Sequence, residues 1–227
     1  MNTNKNVIVS ISTDPVPDRE VVPYLKEMQD YRVDYIHCDV MDGNFVPTVS
    51  YDYKYVASLN TKTIVPLDVH LMIEHPERVI DKYIEAGANI VTVHYESYSS
   101  RKDLIKDLVR IRELGSLAGV AICPGTEVNN VVDFLNHCDV ILVMGVIPGV
   151  SGQQVLENVY LKIRMLDQIR KQFNFKFILS VDGGINKEVA EKVKEMGADM
   201  IVSGTYIYNA DERRRAIRQL KLPYESL

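Results

Sequence analysis

Glu195–Val202 reads EMGADMIV, and Glu85–Val91 reads EAGANIV. Each stretch contains the end of an amphipathic segment, a glycine that permits a tight turn, and the start of an apolar run. The same order of helix, turn and strand at two distant points indicates a repeated unit of strand and helix. It argues against two separate domains.

Apolar runs recur eight times along the chain. Each is short, rich in valine and isoleucine and bounded by turn residues, which is typical of strands buried on both faces. The predicted strands are Val7–Ser12, Tyr35–Met41, Ile64–Met72, Asn89–His94, Gly119–Ile122, Val140–Val146, Phe177–Val181 and Met200–Ser203.

Amphipathic segments lie between these runs. The predicted helices are Arg19–Tyr31, Pro76–Ala86, Arg101–Leu114, Asn158–Phe173, Lys187–Met196 and Asp211–Leu220, with weaker patterns at Tyr51–Leu59 and Thr126–Leu135. Strict alternation of strands and helices predicts a parallel sheet covered by helices. Eight units in this length favour a closed barrel. We therefore predict an α/β fold, a single (β/α)8 TIM barrel domain that occupies residues 1–227.

Composition limits the classes of partner. Of the 227 residues, 46% are hydrophobic and 25% are charged, and the net charge of −5 gives no reason to expect nucleic acid or an anionic membrane. The apolar run near the N-terminus is too short for a signal peptide or a membrane span. Three widely spaced cysteines, Cys38, Cys123 and Cys138, are expected to be free thiols. These features predict a cytoplasmic protein.

Metal-binding side chains cluster at strand ends. Residues two apart share a face of a strand, so His37 and Asp39 point into the barrel when their apolar neighbours face the helices. The same parity turns Asp68 and His70 inward, and Asp182 ends the seventh strand. Function in such barrels lies at the carboxyl ends of the strands. These side chains are therefore expected to meet at one end of the barrel.

Two imidazoles and two carboxylates, from His37, Asp39, His70 and Asp182, suit Zn²⁺, Fe²⁺, Co²⁺ or Mn²⁺. A hydrogen-bonded polar residue near the barrel rim is the ordinary alternative for any one of them. Four at matching depth favour a metal site. His94 ends the fourth strand and is expected to contact the substrate or to support a ligand from behind.

Three glycine turns follow the sixth, seventh and eighth strands. They are Pro148-Gly149-Val150-Ser151-Gly152-Gln153, Gly183-Gly184 and Gly204-Thr205. One such turn is a weak signal, because glycine also ends strands for ordinary reasons. Three at adjacent late loops of a barrel predict a phosphate site built from backbone N–H groups.

With these residues in view, the sequence resembles the ribulose-phosphate 3-epimerase family over essentially its whole length. The segments that carry the resemblance are Val9–Ile11, His37–Pro47 (HCDVMDGNFVP), Asp68–Met72 (DVHLM), Pro124–Thr126, Pro148–Gln153, Val181–Gly184 and Gly204–Thr205. The signatures HxDxMDGxFVP and DVHLM in this order are specific to that family. The late glycine turns are shared with other phosphate-binding barrels.

The resemblance implies a ribulose-phosphate-binding barrel in which His37, Asp39, His70 and Asp182 hold one divalent metal, Zn²⁺ or Fe²⁺, with Co²⁺ or Mn²⁺ as alternatives. It implies that Asp39 and Asp182 exchange roles as base and acid while D-ribulose 5-phosphate and D-xylulose 5-phosphate interconvert. The implied substrate contacts are Ser10, His70, Gly149, Val150, Ser151, Gly152, Asp182, Gly183, Gly184, Gly204 and Thr205. A homo-oligomer that serves the pentose phosphate pathway is implied as well.

The chain departs from the family pattern at the loop after the sixth strand. Ile147 stands where Asn is common, Ser151 where Gly is common, and Gly145 where Ser or Thr is usual. These departures leave open a 3-epimerase of a six-carbon ketose phosphate such as D-allulose 6-phosphate. A silent sugar-phosphate-binding barrel and an unrelated synthase are further alternatives, since fold does not fix function. The intact pair of Asp39 and Asp182 argues against the silent barrel, and the paired His and Asp residues at the ends of the second and third strands argue against the synthase.

Overall fold

Eight parallel strands close into a barrel in the computed structural model, which describes residues 6–150 and 152–222. The strands are β1 (Ile8–Ser12), β2 (Tyr35–Met41), β3 (Leu67–Met72), β4 (Ala88–His94), β5 (Leu117–Ile122), β6 (Val140–Met144), β7 (Ile178–Asp182) and β8 (Met200–Ser203). Neighbours in the barrel are neighbours in sequence, and β1 pairs with β8 to close it. The predicted (β/α)8 fold is confirmed.

Helices surround the barrel. Among the described residues they are α1 (Val21–Asp30), α2 (Tyr53–Asn60), α3 (Ile80–Glu85), α4 (Arg101–Glu113), α5 (Asn158–Phe173), α6 (Lys187–Met196), α7 (Thr205–Tyr208) and α8 (Arg213–Lys221). No helix in this described part has both the length and the apolar character needed to cross a membrane. The predicted domain limits, 1 and 227, lie outside the described residues and stay a prediction.

The repeated glycine turns behave as the sequence indicates. Gly197 follows α6 with φ +112°, and Gly87 follows α3 with φ +104° before the chain enters the next strand. A Cβ atom on Gly197 would lie 2.4 Å from Cγ of Asp167. Only glycine combines this left-handed backbone with so close an approach to the neighbouring helix.

One predicted helix is wrong. The weak pattern at Thr126–Leu135 forms two 3-10 helices instead, Val128–Asn130 and Val132–His137. β-Branched valines and asparagines dominate this segment, and both residue types disfavour an α-helix. A further short helix, α7, follows β8 and was not predicted.

The parity of the strands divides the core into two parts. Ile36, Cys38 and Val40 are buried in the large apolar cluster that includes residues of the helices. Inside the barrel, Ile90, Val140 and Met200 form one layer, and Ala121, Leu142, Met144 and Val202 form another. These layers fill the barrel as a solid core. Polar side chains that point inward at the carboxyl ends therefore have a firm apolar floor beneath them.

Candidate active site

A cavity of about 260 Å³ opens at the carboxyl ends of the strands. It is bounded by the ends of strands, β2 and β3 among them, and by the loops after β1, β6, β7 and β8. Its polar lining includes Ser12, Asp39 and Asp182, and its apolar lining includes Met41, Met72 and Met144. A concave site with a few convergent polar groups on an apolar floor is the usual form of a small-molecule site.

Strand register brings the candidate ligands together. In the β2–β3 pair His37 lies beside Asp68 and Asp39 beside His70. The Oδ1 atom of Asp39 lies 3.1 Å from both Nε2 of His37 and Nδ1 of His70. Asp182 reaches the same two nitrogens at 3.9 and 4.0 Å. One donor atom from each of these four residues thus lies within 4.8 Å of the others.

This cluster fits a divalent metal ion. Both imidazole rings are fully buried, and the side chains of Asp39 and Asp182 are only 10% and 16% exposed. Buried carboxylates need a compensating charge, and a set of two imidazoles and two carboxylates suits Zn²⁺, Fe²⁺, Co²⁺ and Mn²⁺ alike. The donor set therefore fits a divalent cation without selecting one of these metals.

The two carboxyl groups differ in acidity. At Asp39 burial opposes ionisation, but the charges and hydrogen bonds of His37 and His70 outweigh it and hold the pKa well below its ordinary value. At Asp182 burial and the neighbouring charge of Asp39 raise the pKa to about 6. Like charges in one site favour a single shared proton. Of the two carboxyls, Asp39 is therefore the one that stays ionised, and Asp182 is the one that takes up a proton more readily.

The two imidazoles are supported from behind in different ways. Asp68 Oδ2 lies 2.7 Å from Nδ1 of His37 and accepts a hydrogen bond of 2.9 Å from Ser10 Oγ. His70 instead has its Nε2 atom 2.9 Å from Nε2 of His94. His94 is fully buried, and its Nδ1 atom lies 3.0 Å from Oε2 of Glu96. His94 therefore stands behind a candidate ligand, one of the two positions that its place at a strand end predicts.

The predicted substrate contact at Ser10 stays a prediction. Ser10 is completely buried and bonds to Asp68 beneath the site. The serine that lines the cavity is Ser12, whose Oγ donates to Oδ2 of Asp39 at 3.2 Å. Ser12 shares the inward parity of Ser10 and lies nearer the carboxyl end of β1, a pattern in the sequence that also marks Ser12 as a candidate.

The glycine turns line the other side of the cavity. Those present are Gly149, Val150, Gly152, Gly183, Gly184, Gly204 and Thr205. Ser151, the remaining predicted contact of this loop, lies outside the described residues. At Gly184 the backbone has φ +70°, and an added Cβ would come within 2.9 Å of the Gln153 carbonyl oxygen. The turns after β6 and β7 are thus packed directly against each other.

Gly145 has a steric reason to be glycine. Its N–H donates to the Asp182 carbonyl oxygen at 2.6 Å, and a Cβ at this position would lie 2.5 Å from the Gly183 carbonyl oxygen. A larger side chain would push the β7 turn, which carries Asp182, away from the cavity. Ile147 is 64% exposed and lines the cavity mouth.

Comparison with known proteins agrees with the residues assembled here. The sequence model of the ribulose-phosphate 3-epimerase family matches residues 9–208. The chain belongs to this family. The resemblance seen in the sequence is therefore confirmed.

Curated members of the family resemble the chain over most of its length. It is 37% identical to the ribulose-phosphate 3-epimerase of Aquifex aeolicus over 188 residues, which covers 83% of both chains. It is also 37% identical to the enzyme of the same name from Bacillus subtilis, over 87% of this chain and 90% of that one.

Solved structures agree on the fold. A mutant tryptophan synthase alpha-subunit from Pyrococcus furiosus superposes with a TM-score of 0.66 over 96% of this chain and 95% of its own, at 12% sequence identity. At that identity the likeness concerns the barrel alone. The function must therefore be argued from the site.

Proposed function

We propose that the protein interconverts D-ribulose 5-phosphate and D-xylulose 5-phosphate by inverting carbon 3. The observation that carries the proposal is a pair of largely enclosed carboxyls, Asp39 and Asp182, which differ in acidity and lie beside two imidazoles in a cavity edged by glycine turns. Epimerisation next to a ketone needs one group that removes a proton and another that returns one.

The metal site of the proposal consists of His37, Asp39, His70 and Asp182. A divalent cation bound there, Zn²⁺ or Fe²⁺ in our proposal, would act as a Lewis acid toward the oxygens of the substrate. The protein contributes the fixed positions of its four side chains. They come from strands packed on all sides, so little reorganisation is needed when the substrate arrives.

The two carboxyls perform the proton transfers. In the direction from ribulose to xylulose, ionised Asp39 removes the proton from C3, and the electron pair of that bond moves toward the carbonyl to give an enediolate. Protonated Asp182 then delivers its proton to the opposite face of C3. Each carboxyl ends in the state from which the other began, so the reverse reaction uses them with exchanged roles.

Phosphate binding falls to the loops after β6, β7 and β8. Backbone N–H groups of glycine turns can hold a phosphate without a basic side chain, which suits a chain of net charge −5. The proposed substrate contacts are Ser10, His70, Gly149, Val150, Ser151, Gly152, Asp182, Gly183, Gly184, Gly204 and Thr205. Ser12 joins them because it lines the cavity and bonds to Asp39.

A six-carbon ketose phosphate is the weaker candidate. The relatives from Aquifex aeolicus and Bacillus subtilis are named ribulose-phosphate 3-epimerase, so they support the five-carbon substrate. Work in the pentose phosphate pathway, a cytoplasmic location and a homo-oligomeric state stay predictions.

The direct test is NMR of the reaction in D2O. The protein, loaded with Zn²⁺ or Fe²⁺, is given ribulose 5-phosphate, and both xylulose 5-phosphate and deuterium at C3 are followed. Product that carries deuterium at C3 is expected, since the returned proton comes from a group in exchange with solvent. Absence of both product and exchange would overturn the proposal, and allulose 6-phosphate would then be tried in the same assay.

A further inference from the structure

Four side chains form a continuous line from the candidate metal site to the protein surface. Nδ1 of His70 lies 3.1 Å from Asp39, and the Nε2 atoms of His70 and His94 are 2.9 Å apart. Nδ1 of His94 lies 3.0 Å from Oε2 of Glu96. Glu96 is an exposed residue whose side chain retains 24% of its accessible area. The line thus runs from a buried ligand to a surface carboxylate.

The ring nitrogen that carries the proton can be assigned for each histidine in turn, starting from the metal site. A nitrogen that binds a metal must be unprotonated, and Nδ1 of His70 is the atom that faces Asp39 and Asp182. The ring proton of His70 is then on Nε2, where it meets Nε2 of His94. That atom must accept the hydrogen bond, so His94 carries its own proton on Nδ1 and donates it to Glu96.

We propose that Glu96 and His94 are positioning residues which fix the tautomer of His70 and so keep its Nδ1 lone pair directed at the metal. This inference rests on the metal site of the proposed function and assigns a role to two residues outside the cavity. A carboxylate behind a ligating imidazole orients the ring and strengthens it as a ligand. Here a second imidazole is placed between the carboxylate and the ligand.

A second cation on His94, Glu96 and Cys123 is the competing interpretation, because their donor atoms also lie within 4.8 Å of one another. Cys123 Sγ is 3.7 Å from Nδ1 of His94. A cation on that Nδ1 would force the proton of His94 onto Nε2, against the proton of His70. Relieving that clash would move the His70 proton to Nδ1 and spoil the first site. The geometry therefore favours the positioning role.

The two oxygens of Glu96 face different groups, and this makes the idea testable. Oε1 accepts from the backbone N–H of Cys123 at 2.8 Å and from Thr126 Oγ1, whereas Oε2 faces His94. In Glu96→Gln, the single amide oxygen is best placed toward the two donors. The amide NH2 then donates to Nδ1 of His94, so His94 must carry its proton on Nε2. The tautomers of His94 and, in turn, of His70 are thereby switched.

The experiment measures Co²⁺ and Zn²⁺ affinity by calorimetry in the wild type and in three variants, each checked for fold by circular dichroism. We expect Glu96→Gln to weaken binding on the order of 100-fold and Glu96→Ala about 10-fold. Alanine only removes the oxygen that accepts the His94 proton, whereas glutamine also places an N–H donor against Nδ1 of His94. Cys123→Ser, the matched control, should bind like the wild type. Nitrogen-15 NMR of the Zn²⁺-loaded proteins should locate the His94 proton on Nδ1 in the wild type and on Nε2 in Glu96→Gln.

Three results would overturn the inference while leaving the metal site intact. These are a Glu96→Gln variant that binds as well as Glu96→Ala or better, an unchanged His94 tautomer in that variant, or a second Co²⁺ with thiolate absorption that Cys123→Ser removes. A wild type that binds no divalent cation would instead refute the proposed metal site, and the inference with it.

Discussion

The two imidazoles of the site are held by unlike supports. Behind His37 stands Asp68, whose side chain is only 5% exposed and which also accepts from Ser10 on the same oxygen. Behind His70 the support passes through His94 and ends at Glu96 on the surface. The short support, Asp68 with Ser10, is buried inside the protein. The long support, His94 with Glu96, depends on a carboxylate in the segment after β4. Two candidate ligands of the same residue type can therefore differ in how firmly the protein fixes the orientation of the ring.

The largest effect should come from a change that spares both supports. Asp182→Asn keeps an oxygen at the site but removes the exchangeable carboxyl proton, so turnover at saturating cation should fall on the order of 10²- to 10⁴-fold. Circular dichroism and nitrogen-15 NMR should show an intact barrel and unaltered His37 and His70 tautomers. A near-normal rate would contradict the acid/base role of Asp182.

Combining Asp68→Asn with Glu96→Gln tests whether the supports act separately. Each acts on its own imidazole, so their free-energy losses should add, giving a combined loss of cation affinity on the order of 10³-fold. Calorimetry on both single variants and the double variant completes the cycle. A double variant no weaker than the worse single one would mean that the supports act as one unit.

Asp68→Asn alone should cost less than Glu96→Gln. Ser10 Oγ and Nδ1 of His37 both meet Oδ2 of Asp68, so one amide oxygen can serve both donors and the His37 tautomer survives. We expect about a 10-fold loss of Zn²⁺ affinity from the missing charge. If Asp68→Asn bound Zn²⁺ more weakly than Glu96→Gln, the ranking of the two variants would be reversed. That result would refute the argument that one amide oxygen can accept from both Ser10 and His37.

The smallest effect concerns pH. Burial opposes ionisation of Glu96, but hydrogen bonds from His94 and Thr126 outweigh it and lower the pKa to about 2 from its ordinary 4.5. A depressed carboxyl pKa adds stability that is complete above the unfolded pKa and lost as pH falls toward the folded one. The difference in urea stability between the metal-free wild type and Glu96→Ala should therefore shrink as pH falls below 4.5 toward 2. A constant difference would count against a charged Glu96 in the folded protein.

Much of this architecture follows from the sequence. Strand positions and the inward parity of His37, Asp39 and His70 are visible because the side-chain period of a strand is strict and the intervening residues are apolar. The end of a helix before the next strand can be predicted equally well from its glycine, as at Gly197. Asp182 was placed by its position at the end of a predicted strand.

The long support was not predictable in full. The position of His94 at the end of the fourth strand placed it near the site. Glu96, in contrast, lies in a short 3-10 turn, Tyr95–Ser97, where no regular side-chain period indicates which residues point toward the site. The partners of Glu96, Cys123 and Thr126, lie in the loop that follows β5, and they contact Glu96 only in the folded barrel. The wrong prediction of an α-helix at Thr126–Leu135 has a similar cause. The helix propensity of that segment is weak, so tertiary packing determines its conformation.

The order of the strands also sets a schedule for synthesis. His37, Asp39 and His70 leave the ribosome on two adjacent strands, whereas Asp182 follows His70 by 112 residues. At ordinary rates of translation that gap lasts about 5 to 20 seconds. Asp182, the fourth proposed ligand, can take its place only after β7 has been synthesised. The complete set of four proposed ligands, and with it the full site for a cation, therefore exists only after β7 has been made.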